Sequence, residues 1–117
     1  MKLDKYNIDQ YINGDTLVCY CRGITSIEDI PEHINAICCY NNKLTSLPKL
    51  PSGLEYLYCH NNELTSLPML PDSLISLYCH NNNLTSYPVN SEDKQWFINH
   101  NKLLNRSTII NKIYETK

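Results

Sequence analysis

Residues 58–71 read YCHNNELTSLPMLP and residues 78–91 read YCHNNNLTSYPVNS, and the two align without a gap. Before them stands CYNNKLTSLPKLP at 39–51, and before that CYCRGITSIEDIP at 19–31. Cys19, Cys39, Cys59 and Cys79 are spaced by 20 residues, and the Thr-Ser pair recurs at 25–26, 45–46, 65–66 and 85–86. A fixed period of this length is the signature of an array of stacked units, not of one closed core.

Each unit carries apolar residues at set positions. One unit has Leu54, Leu57, Cys59, Asn62, Leu64 and Leu67; the next has Leu74, Leu77, Cys79, Asn82, Leu84 and Tyr87. The unit before them has Ile34, Ile37, Cys39, Asn42, Leu44 and Leu47. The first is degenerate, with Leu17, Cys19, Ile24 and Ile27, and Arg22 where Asn is expected. A fifth partial unit follows at Trp96, Ile98, Asn101 and Leu103.

The pattern L-x-x-L-x-C-x-x-N-x-L resembles that of the leucine-rich-repeat family over roughly residues 14–103. The 20-residue period and the L-P-x-L-P linker are similar to the short repeats of bacterial effectors. Similar repeats also occur in proteins of large DNA viruses. The resemblance implies an α/β-type leucine-rich-repeat solenoid. Its curved parallel β-sheet would line a concave side, with an extended, polyproline-like convex side holding little helix.

The residues give the same picture physically. Alternating apolar residues share one face of a strand. Copies of that strand lie about 4.8 Å apart in a parallel sheet. No unit buries its apolar face alone, so stacking makes the core. The Asn at 42, 62 and 82 has donors and an acceptor to satisfy backbone groups where the chain turns inward. Pro48, Pro51, Pro68 and Pro71 favour an extended return.

The Cys19, Cys39, Cys59 and Cys79 ladder is expected to be a buried apolar column of free thiols. Disulfides between adjacent in-register parallel strands are geometrically awkward. Cys38 is expected on the outer face, as a reactive thiol. The domain reading is an N-terminal cap over 1–13, a short helix or an extra strand, then four repeats over 14–89. A degenerate fifth repeat over 90–104 and a C-terminal capping helix over 105–117 complete it. In that helix Ile109, Ile110, Ile113 and Tyr114 share one face.

Strand residues between the apolar ones face the concave side. They form the columns Thr16, Ala36, Tyr56, Ser76, then Val18, Cys38, Tyr58, Tyr78, Phe97, then Tyr20, Tyr40, His60, His80, Asn99. A last column is Cys21, Asn41, Asn61, Asn81 and His100. The candidate binding residues are Tyr20, Tyr40, Tyr56, Tyr58, His60, Tyr78, His80, Phe97 and His100. Five of the nine tyrosines fall in these columns. Tyrosine gives large contact area at small entropic cost. A protein or peptide partner is therefore expected. The alternative is a structural or self-associating role, with the aromatics supporting only the sheet. His60 and His80 are expected side by side. They make a poor metal site by themselves, but a face whose binding responds to pH.

Other classes are disfavoured. Lys and Arg total 10 against 12 acidic residues, with net charge −2 and no basic run. Nucleic acid and anionic membranes demand a dense positive field. The first residues, MKLDKYNIDQYINGDT, have no apolar signal core, and no stretch approaches the roughly 20 apolar residues of a membrane span. A cytoplasmic, reducing location is expected. No nucleophile, phosphate loop or metal-ligand motif is present, so neither an enzyme nor a cofactor or metal is expected.

Overall fold

The computed structural model describes residues 1–85. The expected fifth unit and C-terminal helix lie outside these residues. The architecture is strand-rich and mainly parallel. Strand β1 is Lys2–Leu3, β2 is Ile12–Asn13, β3 is Thr16–Val18 and β4 is Ser26–Ile27. Strands β5 (Ala36–Cys38), β6 (Tyr56–Tyr58) and β7 (Ser76–Tyr78) follow. A 3-10 turn, Ile8–Tyr11, is the only helix among the described residues.

The five-stranded sheet runs β2-β3-β5-β6-β7. β3, β5, β6 and β7 pair in parallel with a strict shift of one unit: Leu17 opposite Ile37, Ile37 opposite Leu57, Leu57 opposite Leu77. The ladder continues past the strands, through Cys39 N–H to the Tyr58 carbonyl at 2.9 Å and Asn41 N–H to the His60 carbonyl at 3.1 Å. Leu17, Ile37, Leu57 and Leu77 point inward and their strand neighbours point outward. A pleat of period two dictates this.

The core is the stack of equivalent residues. Leu17, Ile37 and Leu57 are fully buried, with Cys19, Cys39, Cys59 and Cys79 beside them and Ile24, Leu44 and Leu64 beyond the turn. Each fully buried Leu or Ile contributes roughly 1.5–3 kcal/mol. Leu67, expected inward, is only half-buried and packs against this core. All six cysteines lie among the described residues, and none forms a disulfide.

Two ladders of asparagine side chains hold the units at one turn. Asn42, Asn62 and Asn82 point inward. Asn42 Nδ2 donates to the carbonyls of Cys19 and Cys39, both at 3.0 Å. Asn62 Nδ2 donates to those of Cys39 and Cys59, at 3.0 and 3.2 Å. Asn82 Nδ2 donates to those of Cys59 and Cys79, both at 3.0 Å. Their Oδ1 atoms accept backbone N–H groups of the preceding unit: Ile24 for Asn42, Leu44 for Asn62 and Leu64 for Asn82. Arg22 fills the equivalent place in the first unit. Its backbone N–H donates to Asn42 Oδ1 at 3.0 Å. The ladder therefore begins at Asn42, and an amide at position 22 is not needed to bridge two units.

The N-terminal segment holds two short strands with a 3-10 turn between them. β2 pairs antiparallel with β3, and β1 pairs in parallel with β4 on the other side of the molecule. The 3-10 turn between them buries Ile8, while Leu3 is fully buried. The return segments carry one turn in common: Ile34, Leu54 and Leu74 donate their N–H to the carbonyls of Pro31, Pro51 and Pro71 at 3.1–3.2 Å. No helix of the described residues is long and apolar enough to cross a membrane.

Candidate functional site

The outward positions of the sheet make the candidate site. Because each strand repeats its neighbour one unit on, equivalent side chains must lie one strand apart. Tyr20, Tyr40, His60 and His80 consequently form one continuous ring stack. Tyr20 and Tyr40 are 4.8 Å apart and inclined by 2°. Tyr40 and His60 are 4.6 Å apart at 11°, and His60 and His80 are 4.6 Å apart at 10°. The rings lie face to face along the sheet.

Tyr58 and Tyr78 lie beside this stack with centroids 4.7 Å apart and a 48° tilt. Tyr56 adjoins Tyr58 at 6.5 Å. Tyr78 meets His60 edge-on at 5.9 Å and His80 at 6.3 Å. Seven of the nine expected site residues thus form one aromatic patch. Phe97 and His100 lie outside the described residues. Tyr20, Tyr56 and Tyr78 are exposed; Tyr40, Tyr58, His60 and His80 are half-buried.

The patch is electrically neutral. Burial raises the Tyr40 phenol, and Tyr20, Cys38 and Cys21 push it further in the same direction. Burial lowers both imidazoles, and the neighbouring His80 lowers His60 further. Nδ1 of His60 and Nδ1 of His80 are buried with no hydrogen-bond partner. Protonation would add charge without adding a partner at these atoms.

A second feature was not given a structural reason from sequence. Cys21, Asn41, Asn61 and Asn81 have φ between 55° and 57°. This is the left-handed region, which asparagine tolerates better than other residues with a Cβ. Asn81 Nδ2 donates to Asn61 Oδ1 and Asn61 Nδ2 to Asn41 Oδ1, both at 2.7 Å. Asn41 Nδ2 then donates to Cys21 Sγ at 3.4 Å. The Asn-Asn pair at 41–42, 61–62 and 81–82 was the available signal. Its first member edges the face and its second builds the inner ladder.

Cys38 departs from its expected role as a reactive thiol. It is half-buried, and burial pushes its thiol up, away from the thiolate that reactivity requires. The described residues contain no group of three or more His, Cys, Asp or Glu able to hold a metal ion. His60 and His80 stack in parallel and do not converge on one point.

Away from the sheet, the return segments form an apolar groove between Leu50 and Leu70, with Met69 exposed at its rim. No protein-family model matches the chain, and no curated protein matches its sequence.

Proposed function

We propose that the chain is a leucine-rich-repeat solenoid acting as a non-catalytic binding module. It takes a protein or peptide on the face formed by Tyr20, Tyr40, Tyr56, Tyr58, His60, Tyr78 and His80. The 20-residue sequence period and the unit-by-unit register of the parallel strands support the solenoid reading. The observation that carries the binding reading is the patch itself. Four stacked rings and three further tyrosines lie together on one sheet face, three of them exposed. Tyrosines held by their neighbours lose little entropy on binding and bury large areas. The asparagine ladder beside them adds polar groups that orient a partner.

A second reading has its own observation. Rings stacked at 4.6–4.8 Å support one another and the sheet even without a ligand. On that reading the protein is a structural or self-associating element.

One experiment separates them. A folded Tyr20→Ser, Tyr56→Ser, Tyr78→Ser variant is compared with the wild type in affinity capture under reducing conditions, with oligomeric mass followed across concentration. Specific partners held by the wild type and lost by the variant support binding through the face. Identical capture by both, or a mass that rises with concentration and no hetero-partner, supports the second reading.

A further inference from the structure

The His60–His80 pair occupies an unusual place. The two rings are nearly parallel with centroids 4.6 Å apart, and His60 is held between His80 and Tyr40. Tyr78 closes the edge of the pair, 5.9 Å from His60 and 6.3 Å from His80. Each imidazole keeps its Nδ1 buried and unpartnered.

The titratable groups around the pair are few. Cys38 and Tyr40 come from the unit on one side, with Tyr58 on the strand leading to His60 and Tyr78 on the strand leading to His80. The buried thiols of Cys59 and Cys79 lie beneath. Burial pushes the thiols of Cys38, Cys59 and Cys79 and the Tyr40 phenol up, toward their uncharged forms. Among the described groups, the charge that acts on His60 is that of His80, and burial alone acts on His80. No carboxylate of the described residues takes part.

We propose that the His60–His80 stack is an acid-operated catch in the aromatic face. Neutral rings close the four-ring stack. Two cationic rings cannot share it, and the face opens between Tyr40 and Tyr78. Three physical reasons converge. Two imidazolium rings face to face repel one another through a site with little water between them. Each added proton leaves Nδ1–H as a buried donor without an acceptor, which is costly. The remaining contacts, to Tyr40 and Tyr78, are aromatic and offer no counter-charge; a single cation is tolerated against them. The first proton is therefore accommodated and the second drives the change. Coupled groups of this kind titrate in two macroscopic steps. The proposal stands on ring geometry and holds whether or not a partner uses the face.

The test is an NMR titration of the full chain between pH 4.5 and 8. It follows the imidazole resonances of His60 and His80, the ring-to-ring contacts with Tyr40, and the backbone amides of Ile37, Leu57 and Leu77. The expected result is two separate protonation steps, both below the value of about 6.5 found for histidine in a peptide. Contacts between His60 and its stacked neighbours are lost with the second step, while the three core amides stay native. In His80→Phe, which keeps a ring but no charge, His60 titrates in one step at higher pH and its contact with Tyr40 survives. Titration of both rings at the peptide value overturns the proposal. So does persistence of the ring contacts after both rings are charged. The wild-type titration decides alone should His80→Phe not fold.

Discussion

Asn42 and Asn62, twenty residues apart, donate to the same acceptor, the Cys39 carbonyl, each at 3.0 Å. The Cys59 carbonyl is shared in the same way by Asn62 and Asn82. The asparagine side chains thus form a continuous hydrogen-bonded spine alongside the backbone ladder.

Breaking the spine in its middle should be costly. Asn62→Ala leaves the buried Leu44 N–H without an acceptor, while the Cys39 and Cys59 carbonyls each keep one asparagine donor, Asn42 and Asn82. A loss of roughly 2–4 kcal/mol is expected from the orphaned donor and the lost bonds. Asn62→Asp keeps the acceptor but sets a carboxylate against two carbonyl oxygens, and should be no better. Urea denaturation measures both. A midpoint within experimental error of the wild type for Asn62→Ala would remove the spine from the account.

The outer amide ladder can be divided into conformation and bonding. Asn61 has φ 57° and makes both ladder bonds. Asn61→Ala loses the bonds and places a plain Cβ residue in the left-handed region, at roughly 1–2 kcal/mol for the conformation. Asn61→Gly loses the bonds but adopts that φ freely. The glycine variant should therefore unfold later than the alanine variant. The reverse order would mean that conformation is not what asparagine supplies there.

Thiol reactivity should report the ladder of cysteines directly. Burial pushes the Cys19 and Cys79 thiols up to about 12 and those of Cys39 and Cys59 well above the ordinary thiol range. Cys21 is exposed and Cys38 half-buried. With a chromogenic disulfide at pH 8, Cys21 should react first and Cys38 slowly. The four ladder cysteines should wait for urea, where all six react. Prompt reaction of Cys39 or Cys59 in the native protein would contradict their placement.

The buried imidazoles should make stability depend on pH with a definite sign. Folding lowers His60 and His80, mainly by burial. The unfolded chain then binds more protons than the folded one below about pH 6.5. Stability is fully present above that value. It is lost as the pH falls through the lowered folded values, and levels off once both rings are charged. Urea midpoints from pH 8 to 5 should fall on the acid side, and the fall should shrink in a His60→Gln, His80→Gln variant. An unchanged slope in that variant would assign the dependence to other groups.

Much of the fold was legible because the period is explicit. Cys19, Cys39, Cys59 and Cys79 mark one inward column, and a two-residue pleat then places every outward neighbour. Tyr20, Tyr40, His60 and His80 could be aligned as a column from spacing alone. The inner asparagine role was also readable, since a buried turn must satisfy its own polar groups.

What the sequence determined by itself was therefore the register: which residues recur, which face inward, and which share an outward column. Only the tertiary structure decided what that register does to chemistry. It fixed the nearly parallel stacking of His60 on His80, the burial of their Nδ1 atoms and the left-handed backbone that aligns Asn41 with Asn61. It also fixed the burial that quenches Cys38 and the pairing of β1 with β4 and of β2 with β3. The reason is physical. Periodicity specifies which side chains are neighbours, but ring tilt, atomic burial and solvent access depend on how closely the paired strands approach, and that is set by packing in the folded chain.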